Sequence, residues 1–310
     1  MNRVSNWLQS NRQTLLRGAG SALALILLLV LIKEESGAEI LSALRRVSWG
    51  YFLAAIFALL ISRVFITARW FTLLRFAELE ISFLRVSQLT FTGLFASNFL
   101  PTTIGGDVAR LAGVMQLGYD RAVCLASLIA DRLIGMAGMV FTLPFGLVPA
   151  WSLMQAPAAQ SAFLPSLYRK GVNFLQRALE TFGVWARRPQ ALLLSLLATF
   201  ANMAFIFLSI WLLIRGMEKN IPYWLIAGLW SLTYFVTLVP VSINGFGVQE
   251  LSLTFLLSAL GGLSHAESLA IAVLIRLLFI ITSLPGAFFL PAILAAMNQT
   301  RNRPHEDSLP

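Results

Sequence analysis

The residues able to do chemistry in this chain sit where charge is costly. Arg63, Asp107, Arg110, Asp131, Arg132, Glu250 and Arg276 all fall within or beside long apolar runs. An Arg or Asp at the centre of a membrane helix costs about 2.5–3.5 kcal/mol on insertion scales, so such residues face a partner or a watery cavity. Arg69 lies near the end of its run and is expected to snorkel to the cytoplasmic surface. Arg110, Arg132 and Arg276 could each offer a bidentate contact to a phosphate. Asp107, Asp131 and Glu250 could neutralise these arginines, bind a cationic or hydroxylated headgroup, or carry a coupling proton; alternatively Asp131 pairs with a basic neighbour only to hold helices together.

Two similar interruptions position these groups. One runs from Asn98 through Pro101, Gly105, Gly106 and Asp107 to Arg110. The other runs from Pro240 through Asn244, Gly245 and Gly247 to Glu250. Pro ends an incoming helix, Gly permits a sharp turn or close approach, and a new helix can begin just after. A helix starting after Gly105-Gly106 presents free backbone N–H groups and a positive dipole end, which suits an anion. Asn98 and Asn244 supply neutral hydrogen bonds, to a ligand or to the freed backbone. Corresponding broken segments in two halves are the best sequence pointer to a transporter's binding site.

The elements around them are membrane helices. Of 310 residues, 58% are hydrophobic and 12% charged, with a mean hydropathy of +0.78; soluble domains carry about 25% charged residues. Apolar runs at Leu15–Ile32, Trp49–Leu74, Ala122–Pro149, Ala191–Ile214, Pro222–Val241 and Ala266–Ala296 each approach or exceed the roughly 18–20 residues needed to span. The interrupted stretches Val86–Leu117 and Ser242–Leu260 bring the expected total to about eight, as broken or re-entrant segments of an all-α polytopic bundle with an internal pseudo-repeat. Residues 1–297 form one transmembrane domain, and 298–310 a polar, disordered tail.

The net charge of +9 reads here as topology rather than nucleic-acid binding. Arg3, Arg12 and Arg17, Arg69 and Arg75, the 150–189 loop with Arg169, Lys170, Arg177, Arg187 and Arg188, and Arg301 and Arg303 mark the cytoplasmic side, with both termini inside an inner (plasma) membrane. Within that loop, apolar residues at helical spacing over 166–188 describe an amphipathic helix on an anionic leaflet. The loop is too short for an enzyme domain. One cysteine, Cys124, allows no intrachain disulfide and is read as a packed residue; two distant histidines, His265 and His305, give no metal-ligand spacing, and no cofactor is expected.

With these residues the chain resembles the lysylphosphatidylglycerol synthase transmembrane region family. The resemblance rests on Asn98–Pro101 through Gly105-Gly106-Asp107 and Arg110, Asp131-Arg132, Pro240 through Gly245, Gly247 and Glu250, and Arg276 followed by Pro285-Gly286. It implies a bundle of about eight spans that translocates or handles polar-headed lipids, among them aminoacylated phosphatidylglycerol, polyprenyl-linked sugars and hopanoid-type lipids. A soluble aminoacyl-transferase domain is not expected, and Gln249 stands where many relatives carry a basic residue. The leading expectation is a lipid flippase. The alternatives are a membrane-embedded transferase with Asp107 or Asp131 as general base, and a scaffold that contacts lipid- or glycan-synthesis enzymes through the amphipathic loop.

Overall fold

The computed structural model describes residues 37–98, 105–154, 189–239 and 242–291. The first apolar run, the amphipathic segment at 166–188, the C-terminal tail, Pro101 and Pro240 lie outside the described residues.

The described chain is all α. Its helices are α1 (Gly37–Arg46), α2 (Trp49–Phe76), α3 (Phe83–Ser97), α4 (Gly105–Met115), α5 (Arg121–Thr142), α6 (Pro144–Met154), α7 (Pro189–Gly216), α8 (Tyr223–Thr237), α9 (Val248–Leu260) and α10 (His265–Ser283). Short 3-10 turns occupy Ile243–Gly245 and Leu284–Phe288. Among the described residues, four stretches are long and apolar enough to cross a membrane: α2, α5, α7, and α10 with the turn after it. Their outward faces expose Leu53, Phe57, Val64, Phe141, Leu193, Leu197 and Phe288. That is the arrangement of helices solvated by lipid, which cannot hydrogen-bond to exposed backbone.

The chain contains the same unit twice. A 28-residue helix, a 15-residue helix, a break, a helix of 11 or 13 residues and one of 22 or 19 residues follow in the same order in both halves. Corresponding turns after the long helices place Glu78 and Glu218 at φ 65° and 61°. The long helices α2 and α7 run antiparallel. Ser48 N–H donates to Gly216 O (3.2 Å) at one end, and Ala191 clusters with Leu73 at the other. At their midpoints equivalent residues meet: Ser62 donates to Asn202 (2.7 Å) across 140 positions, and Phe65 stacks on Phe205 at 5.7 Å. Equivalents touching at the middle of an antiparallel pair define a pseudo-two-fold axis perpendicular to both helices. The two halves are therefore inverted repeats.

Both broken segments are hairpins rather than spans. Helix α3 would reach about 22 Å and α4 less, short of the roughly 30 Å hydrocarbon core. Their outer ends lie together, where Tyr119 Oη donates to Glu80 O (2.5 Å). The helices press together through glycine: a Cβ on Gly106 would strike Ser97 Oγ and Gly93 O, and one on Gly93 would strike Arg110. In the second half, Gly261 at the end of α9 packs on Ile221 just before α8. On that face Lys219 pairs with Glu267 (3.0 Å) and Arg46 lies 3.7 Å from the same carboxylate. The two hairpins thus enter from opposite faces. Pro222–Val241, expected as a full span, contains the 15-residue α8 and is one arm of a hairpin.

Each half also closes on the other. Helix α6 packs against α8, where Gly146 and Gly228 bring two backbones together, and the Leu284–Phe288 turn packs on α3 with Gly286 against Phe91 O. Along this seam Thr142 and Ser231 hydroxyls meet at 2.6 Å. Helix α5 rises beside α7 in the same direction, Ala130 and Ile134 near Ala191 and Gly138 against Thr199 and Met203. Consequently α6 ends on the Lys219 face while α7 begins on the Glu80 face. Residues 154 and 189 stand at opposite ends of the bundle, although the intervening stretch was expected as a loop on one leaflet.

Candidate functional site

The first interruption delivers its charges to a buried network. Asp131, 2% exposed, accepts from Arg69 Nε at Oδ1 (2.6 Å) and from Arg110 Nη1 at Oδ2 (3.1 Å). Arg110 Nη1 also reaches Asp107 Oδ1 at 3.3 Å, and the other Asp107 oxygen accepts from Arg132 Nε. Three guanidinium groups and two carboxylates from α2, α4 and α5 are linked in one chain, leaving one positive charge in excess. The Arg110 Cζ lies over the Trp70 ring, 3.9 Å from its centre, and Trp70 Nε1 donates to Ser127 Oγ (3.2 Å). Among the described residues, the Nε and Nη2 of Arg110 are buried without an acceptor. An unpaired buried donor is costly, so this arginine holds spare capacity for an anion.

The second interruption is more nearly self-contained. Glu250 accepts from Gly247 N–H (2.7 Å) and from Arg276 Nε. Arg276 Nη2 donates to Gly245 O (3.3 Å), and its guanidinium lies 4.5 Å from the Phe246 ring centre. Asn244, Gly245 and Gly247 adopt φ of 48°, 72° and 77°, the left-handed region that Gly enters freely and Asn tolerates. These three residues bend the chain so that α9 begins with Glu250 in its first turn. Gln249 is buried and its Nε2 has no acceptor among the described residues.

The two pairs correspond. Asp107 and Glu250 are the third residues of α4 and α9, while Arg132 and Arg276 are the twelfth of α5 and α10; in both pairs Nε is the donor. The first half alone adds Arg110 and Asp131, where the second has Leu253 and Ile275, both 1% exposed. Replacing the Arg110–Asp131 pair by an apolar pair is charge-neutral, whereas Arg69 opposite Ser209 and Arg63 opposite Met203 leave the first half with the extra positive charge.

Of the residues expected at a site, Arg110, Asp131, Asp107 and Arg132 come together directly, as do Gly245, Gly247, Glu250 and Arg276. Gly105 and Gly106 are buried at the start of α4, where Gly106 serves the close hairpin contact. Asn98 donates to Ser283 Oγ (2.9 Å), tying the first hairpin's tip to α10. Tyr234, near the end of α8, packs on Leu133 and Met136, so the second hairpin's descending arm borders the first network.

One expectation is corrected. Arg69 does not snorkel: it is 6% exposed and its Nη1 lies 3.5 Å from Thr199 Oγ1 in addition to the Asp131 contact. Its buried partner holds it inside. Arg69 and Trp70 were not expected at the site; the presence of an acidic residue in α5 needing a cation was the only sequence signal. Cys124 is 1% exposed within the core beneath α3, as expected.

Comparison with curated proteins gives no sequence match. The family described as lysylphosphatidylglycerol synthase TM region matches twice, over residues 18–164 and 139–286, ranges that overlap at 139–164 and together take in both repeats. This multi-pass, all-helical membrane protein belongs to the lysylphosphatidylglycerol synthase transmembrane region family, whose members act in lipid-related processes.

Proposed function

We propose that the protein is a lipid flippase: it binds a polar-headed lipid, anionic or polyprenyl-linked, and moves it across the inner membrane with both termini cytoplasmic. The observation that carries the reading is the pair of opposed hairpins whose inner ends hold matched, part-buried ion pairs, with Arg110 donors to spare. Hairpins entering from opposite faces let one headgroup site be approached from either leaflet, and inverted repeats supply two alternative packings of similar energy. The lipid tails remain in the bilayer while only the headgroup exchanges water for arginine and backbone N–H contacts, a replacement that charge-assisted hydrogen bonds make affordable. The residues proposed to contact the headgroup are Arg110 and Arg132 with Asp107 and Asp131, and from the second half Glu250 and Arg276, with the glycine-bearing tips around them.

The test is lipid movement in proteoliposomes holding the purified chain. Nitrobenzoxadiazole-labelled phosphatidylglycerol, phosphatidylcholine and a labelled polyprenyl phosphate are placed in one leaflet, and arrival in the other is read by dithionite quenching. Protein-dependent movement of an anionic or polyprenyl lipid, lost in Arg110→Ala with insertion intact, is the expected result. Wild-type rates in Arg110→Ala would remove that residue from the site, and no protein-dependent movement of any of the three would overturn the flippase reading.

A further inference from the structure

Arg63 is the one membrane-embedded arginine of the five described (with Arg69, Arg110, Arg132 and Arg276) that meets no carboxylate among the described residues. It is the fifteenth residue of the 28-residue α2, next to the Ser62–Asn202 contact and two positions from the Phe65–Phe205 stack. It therefore sits at the pseudo-two-fold axis, at the mid-depth of the bundle; its equivalent in α7 is Met203. The side chain is 7% exposed and its Nε has no acceptor. Its guanidinium lies over the ring of Phe279, 5.1 Å from the centre.

A second orphan donor borders the same ring. Trp230, 5% exposed, packs edge-on against Phe279 at 5.6 Å, and its Nε1 is likewise buried without an acceptor. A cation and an indole N–H, from α2 and α8, thus flank Phe279 of α10, and neither has a hydrogen-bond partner among the described residues. One turn further along α10, Ser283 receives Asn98 from the first hairpin's tip. Five embedded guanidinium groups face three embedded carboxylates, Asp107, Asp131 and Glu250; part of the excess belongs to Arg63.

We infer that Arg63 and Trp230 form a mid-membrane anion site that receives the singly charged phosphodiester of a lipid headgroup beside Phe279, one turn of α10 from the first hairpin's tip. This inference rests on the flippase reading for its lipid, but the site itself rests on the two orphan donors. A guanidinium offers a planar fork to phosphate, and one uncompensated positive charge matches one phosphodiester. A free oxyanion has the same recognition chemistry, and the experiment separates the two sources.

Full-length protein in mild detergent is heated, and its unfolding midpoint is followed by size-exclusion fluorescence with dihexanoyl-phosphatidylglycerol, dihexanoyl-phosphatidylcholine or inorganic phosphate at equal concentrations below micelle formation. A ligand that binds only the folded state raises the midpoint. The expected result is stabilisation by the glycerol lipid in wild type and Arg63→Lys, with at least about tenfold more lipid needed in Arg63→Met. Without ligand, Arg63→Met unfolds no earlier than wild type, because the change removes an unpaired buried charge and introduces the residue of the equivalent position. Equal shifts in wild type and Arg63→Met, or no shift with any probe, overturn the site; an equal, Arg63-dependent shift with phosphatidylcholine supports it, because that lipid carries the same phosphodiester. An equal, Arg63-dependent shift with inorganic phosphate overturns its assignment to lipid. Arg63-dependent binding without lipid movement in proteoliposomes would sink the flippase reading and leave this site standing; lipid movement and binding unchanged by Arg63→Met would do the reverse.

Discussion

Asp131→Asn removes the negative charge at the centre of the first network while keeping its shape. The carboxylate is 2% exposed and satisfies two arginines that are themselves buried, Arg69 at 6% and Arg110 at 7%. Breaking a buried pair from one side costs about 3–5 kcal/mol, since the surviving charge stays desolvated. Here two cations are left, and of these Asp107, already paired with Arg132, reaches Arg110 but not Arg69, so the upper part of that range is expected for the loss at Arg69. Against a total stability of order 5–15 kcal/mol that is a large fraction. The assay is reversible unfolding in mixed micelles of mild detergent and sodium dodecyl sulfate, for Asp131→Asn, Arg69→Met and the double variant. The double variant should be less destabilised than the two single effects added together, by a coupling of about 2 kcal/mol or more. A single-variant loss below about 1 kcal/mol, or additive effects, would refute the claim that this carboxylate holds Arg69 inside, and surface-like screening would replace the buried-network account.

Other outcomes follow from the same geometry. Glu250→Gln keeps an oxygen for Gly247 N–H but loses the ion pair to Arg276, so lipid movement in proteoliposomes should fall at least about tenfold while the protein still purifies folded; an unchanged rate would leave the second hairpin without a role in movement. Gly106→Ala drives a Cβ into Ser97 Oγ and the Gly93 backbone, and should cost about 1–3 kcal/mol in the same unfolding assay, whereas Ala at Gly118, which meets nothing within 4 Å but has φ 84°, should cost about 1 kcal/mol through backbone strain alone. Equal losses at both would show that the α3–α4 contact is looser than described. In a Cys124→Ser background, Trp151→Cys and Gln190→Cys should react with an impermeant maleimide from opposite sides of the membrane. Labelling from one side only would put both ends of the 154–189 connection on one leaflet.

Composition alone determined that the chain lives in a membrane, because 58% hydrophobic residues cannot be hidden in a soluble fold of this size. The Pro and Gly interruptions were also legible, since local backbone chemistry ends one helix and begins another whatever surrounds it. Even the charged residues that matter could be picked out, for charge inside an apolar run is costly anywhere. What the sequence could not decide was pairing and depth. Asp131 takes Arg69 from 62 positions away, and no local rule distinguishes that partner from the lipid surface to which Arg69 was assigned. Whether Tyr223–Thr237 spans or turns back depends on Gly261 meeting Ile221, a contact across the hairpin. Tertiary packing, acting through inverted symmetry, matched Asp107–Arg132 with Glu250–Arg276 and left Arg63 alone at the axis. Hydropathy records how much a residue avoids water; only the assembled helices decide which charges meet.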